Sequence, residues 1–127
     1  MKKRTGIASL PVILLLGGII IEIGIAGAFL LVYLNNSLYG TRLANQALEA
    51  AHSGVNDAIL RIIVDKDLTA DSYELQVGNT QATVTIADNI VTSVGQAFTK
   101  QHRLVATLTV SSTTGLVAIE SIQEIAQ

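Results

Sequence analysis

Half of the 127 residues are hydrophobic and mean hydropathy is +0.51, while the formal net charge is only −2. The chain has no cysteine, which excludes disulfides and thiolate metal sites together. Three of the eight Lys and Arg residues fall within residues 1–6, and nine of the ten acidic residues follow Asn35, so the remainder carries no basic patch suited to nucleic acid.

Residues 1–6 read MKKRTG, and residues 7–34 then form an apolar run interrupted by one charge, Glu22. A helix through that run rises about 1.5 Å per residue, enough to cross roughly 30 Å of hydrocarbon. The basic residues Lys2, Lys3 and Arg4 predict a cytoplasmic N-terminus, with the bulk of a single-pass protein outside. Three readings fit the segment. A cleaved secretory signal has a shorter apolar core and a small-residue cleavage site, which Ala26 and Ala28 could mimic, but FLLVYL follows at once. A plain membrane anchor is the second. The third is a basic leader ending in Gly6 and cut before Ile7, with the apolar helix retained.

That third pattern, KKRTG followed by IASLPVILLL and an uninterrupted apolar helix, resembles the prepilin family of type IV pilins and type II secretion pseudopilins. The resemblance implies cutting after Gly6 by a prepilin peptidase and methylation of the new Ile7 amine. It also implies partners: other pilin-like subunits, joined through packing of their N-terminal helices. The family usually carries a Glu four residues after its mature terminus, and here Pro11 occupies that position. The departure points toward a minor or tip-type subunit.

Within the run, Gly17, Ile21, Gly24 and Ala28 share one helical face, and small residues there allow a second helix to approach closely. Such residues are also simply common in membrane helices. Pro11 lies near the start of the helix, where its missing N–H costs little. An acidic side chain such as Glu22 costs on the order of 3 kcal/mol at mid-bilayer, which fits either of two readings: an acceptor for a neighbouring subunit's amine or Ser9 hydroxyl in a bundle, or a carboxyl simply protonated in lipid. It stands fifteen residues past Ile7, about 22 Å along a straight helix, and cannot replace the usual family Glu in the same geometry.

Tyr33 and Tyr39 flank a polar stretch that suits the outer membrane interface. Either a continuous helix or a short break at Gly40 fits residues 35–41. Beyond them Ala44, Ala47, Leu48, Ala51, Val55, Ala58, Ile59 and Ile62 recur at three- and four-residue steps, which predicts a helix over 43–64. Its stripe is rich in Ala, so a sheet can lie close, and Asp57 and Arg61 form an i,i+4 pair. ALEAAHSGVNDAILRI resembles the small-residue continuation of minor pilins.

Asp65, Asp67 and Asp71 follow in a polar connection that lacks the central Gly and terminal Glu of a calcium loop, so a solvated turn is expected. The period then changes to two. Tyr73, Leu75 and Val77 alternate with polar residues up to GNT, and Ala82, Val84 and Ile86 do so up to Asp88 and Asn89. A weaker strand over 90–94 ends at Gly95, and another runs over 104–110. SSTTG turns the chain into LVAIESIQEI, which could be a strand or end as a helical turn, with Ile119, Ile122 and Ile125 three apart. The fold class is α+β, a long N-terminal helix packed on a small antiparallel sheet of four or five strands. The expected organisation is a leader at 1–6, a membrane or filament-core helix at 7–34, an amphipathic continuation at 35–64 and a sheet at 65–127.

No constellation predicts catalysis, a cofactor or a metal site. His52 and His102 are far apart in sequence without second ligands nearby, and AHSGV lacks the strand–turn setting of a nucleophile elbow. The expected function is structural: a minor pilin or pseudopilin, stored in the inner membrane and then assembled into a periplasmic or extracellular filament. The alternative is a single-pass anchored binding domain that keeps residues 1–6.

Overall fold

The computed structural model describes residues 9–125. Helix α1 spans Ser9–Val64 without interruption, and five strands follow: β1 Ala70–Val77, β2 Thr80–Ala87, β3 Ile90–Ala97, β4 Lys100–Val110 and β5 Val117–Ile125. Pro11 is the third residue of α1, where no i−4 carbonyl needs its N–H. Gly40 does not break the helix. The helix stops at Val64, where the Asp65 amide donates to the Arg61 carbonyl at 2.8 Å and the Asp67 amide to Asp65 Oδ1 at 3.2 Å. The described residues fall into two compact units that divide between Tyr39 and Gly40.

In the second unit the strands form one antiparallel meander in the order β1-β2-β3-β4-β5. Their alternation places Ala82, Val84, Ile86, Val91, Leu104, Ala106 and Leu108 on one face, against Ala51, Val55, Ala58 and Ile62 of α1. The opposite face is mixed: Thr83, Thr85 and Thr92 lie there with Val94 and Val105, and Gln76, Gln81, Gln96 and Gln101 stand in register across four strands. The α+β class and the five-stranded antiparallel sheet are therefore as the alternation and the Ala stripe imply.

Small residues bring helix and sheet together. A Cβ at Gly54 would run into Ser93 Oγ and lie 2.8 Å from Val84 Cγ2. A Cβ at Gly95 would collide with the Ala47 carbonyl oxygen and lie 2.6 Å from the Ala51 nitrogen. Gly95 thus corrects the expected end of the third strand. It is a close-approach position inside β3, which runs on to Ala97, and β4 begins at Lys100 instead of near Leu104. The C-terminal run is a strand and not a helical turn, with a bulge opposite Thr107 and Leu108.

The first three connections are two-residue hairpins, Gly78–Asn79, Asp88–Asn89 and Phe98–Thr99. The first residue of each has positive φ, 60°, 51° and 56°, and the second does not, the pattern of a type II′ turn that favours Gly first. Asp tolerates that conformation, whereas a bulky Phe there is strained.

Candidate functional site

Apolar composition marks the first unit. Every described residue up to Tyr39 is exposed except the half-buried Gly17. Among the described residues, one helix is long and apolar enough to cross a membrane. At about 100° per residue, Gly17, Ile21, Gly24 and Ala28 fall within one narrow arc, and a Cβ at Gly17 or Gly24 would meet open space. Glu22 does not join them: it lies about 120° round the axis, one turn above Gly18. Gly6 and Ile7 lie outside the described residues.

The second unit has a charged cluster where α1 passes β1. Arg61 Nε donates to Asp57 Oδ2 at 2.8 Å, its guanidinium stands 3.8 Å from the centroid of the Tyr73 ring, and Asp71 Oδ2 lies 3.8 Å from Arg61 Nη1. The Tyr73 hydroxyl is buried beside Asp57 without a hydrogen bond of full geometry. The Tyr73 hydroxyl first, and the Arg61 guanidinium second, hold the Asp57 carboxyl below its ordinary value of 3.8. Burial first, and then the Asp57 carboxylate, raise the Tyr73 hydroxyl well above its ordinary 10.0. Next to this cluster Leu60, Val64 and Leu68 line an open groove of about 370 Å³, with Arg61, Asp65 and Asp71 at its edge.

His52 is exposed on the helix, and His102 Nδ1 lies 2.6 Å from Glu124 Oε1 across β4 and β5. Among the described residues no group of three or more His, Asp or Glu side chains could hold a metal ion. Asp57 and Arg61 were legible as a pair, but Tyr73 and Asp71 join them only through strand placement. Ser93 is fully buried with an unpartnered hydroxyl, and Phe98 is 81% exposed; neither carries a sequence signal.

Comparison with protein-family models, characterised proteins and solved structures finds no match to this chain.

Proposed function

We propose that the chain is a structural filament subunit of prepilin type, held in the cytoplasmic membrane by residues 7–34 until it assembles. One observation carries the reading. A continuous helix leaves its first thirty-odd residues uncovered while its second half is buried on a sheet. Apolar side chains with no partner in their own chain need lipid, or the helices of other subunits, and the same surface serves both in turn. Further support comes from the basic leader ending in Gly6. Pro11, in place of the family's usual Glu, favours a minor subunit. The prepilin peptidase and neighbouring pilin-like subunits are the partners this reading requires.

The test is the intact mass of protein extracted from the membranes of its own host. Loss of residues 1–6 with methylation at Ile7 is expected, and Gly6→Trp should accumulate as full-length precursor. A wild-type chain that still begins at Met1 or Lys2 would overturn the reading. The groove beside Asp71 favours the alternative, an anchored binding domain with residues 1–6 retained, and the same mass measurement separates the two.

A further inference from the structure

The last two turns of α1 expose apolar surface that the sheet does not use. Ile62 is buried in the core and Ile59 packs partly against it, whereas Leu60 and Val64 are 61% and 87% exposed. These two stand four residues apart, on one face of the helix. With Leu68, itself packed partly against the core, they form the apolar wall of the groove of about 370 Å³. Single exposed aliphatics are ordinary, but a concavity lined by three of them with charges at its edge has the make-up of a binding site.

The charge at that edge selects the occupant. Arg61 is already engaged, with Nε donating to Asp57 and the guanidinium lying over the Tyr73 ring. Its Nη1 stands 3.8 Å from Asp71 Oδ2, too far for a hydrogen bond. Asp65 Oδ1 accepts from the Asp67 amide at 3.2 Å and Asp71 Oδ1 from the Ser72 amide at 2.9 Å, neutral donors that leave each carboxylate its charge.

The surroundings do not cancel that charge. From Asp57 to Asp71 the sequence holds four aspartates, Asp57, Asp65, Asp67 and Asp71, against two bases, Arg61 and Lys66, a surplus of two negative charges. Lys66 lies against Gly115, in the connection between β4 and β5. Asp88 adds to the negative side, since its amide donates to the Thr69 carbonyl. The other bases of the second unit stand toward its far end. Asp71 pairs with Ile86, near the β2–β3 turn, whereas Lys100 pairs with Ala97 beside the β3–β4 turn and Arg103 with Val94. Arg42 precedes Ala47, which meets Gly95 in that same far half.

We propose that this groove is a docking site for an extended segment of a partner protein in which an aliphatic side chain is flanked by lysine or arginine. The aliphatic group seats on Leu60, Val64 and Leu68, and the flanking cations meet Asp65 and Asp71. Burial supplies attraction without direction, and the two carboxylates select basic over neutral or acidic neighbours. Every residue of the site belongs to the second unit, so the inference holds whether or not residues 1–6 are removed.

The test uses the full chain, methyl-labelled, in zwitterionic detergent micelles, titrated with an acetylated and amidated Lys-Leu-Lys tripeptide at low salt. Gln-Leu-Gln and Lys-Gly-Lys tripeptides, capped in the same way, remove the charge and the aliphatic group in turn. Lys-Leu-Lys should move the methyl signals of Leu60, Val64 and Leu68 saturably and leave those of Leu104 and Leu108, in the core, in place. An exposed ion pair is worth up to a factor of about five, so two should favour Lys-Leu-Lys over Gln-Leu-Gln by roughly tenfold. Asp65→Asn combined with Asp71→Asn keeps both carbonyl acceptors for the backbone amides and should abolish that preference. Equal affinity for Lys-Leu-Lys and Gln-Leu-Gln would overturn the proposal, because the carboxylates then select nothing. So would equal affinity for Lys-Gly-Lys, or methyl signals at Leu60, Val64 and Leu68 that do not move. Shifts of those signals that follow the protein's own concentration without peptide would assign the groove to a second copy of the chain, and would overturn it as well.

Discussion

Replacing Gly95 with alanine tests how tightly helix and sheet are joined. The added methyl would collide with the Ala47 carbonyl oxygen and lie 2.6 Å from the Ala51 nitrogen, whereas ordinary contacts begin near 3.4 Å. Both obstacles are backbone atoms of α1, so no side chain can rotate away. The helix must retreat from the sheet by roughly 1 Å, and a gap of that size forfeits about a quarter to a half of each dispersion contact it opens. Ala47, Ala50, Ala51, Val55, Ala58 and Ile62 all bury against the sheet, so the loss is shared along the interface. Overpacking costs about 1–3 kcal/mol, and an obstacle of pure backbone places Gly95→Ala at the upper end. Gly54→Ala is the internal reference. Its methyl meets Ser93 Oγ and Val84 Cγ2, which can turn, and alanine gains about 1 kcal/mol of helix propensity over glycine. Amide exchange of β2 and β3, followed by mass spectrometry on the full chain in detergent micelles, reads the difference. At about 1.4 kcal/mol per factor of ten, Gly95→Ala should speed exchange by roughly a hundredfold and Gly54→Ala by far less. Equal protection in the two variants would refute the close contact at Gly95.

Ser93→Ala removes a fully buried hydroxyl that has no partner, so it should be neutral or stabilising by up to about 1 kcal/mol, and it should soften the cost of Gly54→Ala in a double-mutant cycle. Phe98→Gly relieves a left-handed φ and should raise the unfolding midpoint, by about 1 kcal/mol in stability; a fall would mean the ring packs within the fold. The raised Tyr73 hydroxyl contributes stability that is complete below pH 10 and lost as pH rises through its folded value. The lowered Asp57 carboxyl contributes stability present above pH 3.8 and lost as pH falls through its folded value. The thermal unfolding midpoint of the sheet measured against pH should fall at both extremes, and Tyr73→Phe should weaken the alkaline fall. Glu22→Leu should insert into the membrane and be processed yet enter sheared filaments poorly, while Glu22→Gln separates a need for charge from a need for hydrogen bonding; full incorporation of the Leu variant would end any assembly role for Glu22.

Period carried most of the fold. The step of three and four through Ala44 to Ile62 identified the buried stripe, and the alternation from Tyr73 to Val110 identified strands, because burial on one face imposes both patterns. What misled was glycine. Gly95 has the chemistry of a turn residue, but helix approach, not chain reversal, selects it, and sequence cannot distinguish those uses. The true reversal at Phe98 and Thr99 was invisible for the converse reason: neither residue favours a turn, and the flanking strand pairing imposes it. The cluster of Asp57, Arg61, Asp71 and Tyr73 was half legible. An i,i+4 pair is set by helix geometry alone, whereas Tyr73 reaches it only because β1 lies alongside α1.

The separation of Glu22 from the small-residue face bears on the kind of assembly the apolar helix could join. A simple pair of helices needs one interface. Gly17, Ile21, Gly24 and Ala28 supply a face suited to close approach, and a carboxyl in the same seam could be satisfied there by a partner's polar group. Glu22 instead points about 120° away, with Gly18 one turn below it and Phe29 two turns above. In a pair it would be left in lipid, uncompensated. In a bundle with three or more neighbours, one neighbour seats on the small face and another stands opposite Glu22. On the proposed filament reading the arrangement fits a multi-helix core better than a dimeric anchor, with the small face bearing on how close helices come and the carboxyl on how far one slides along the next.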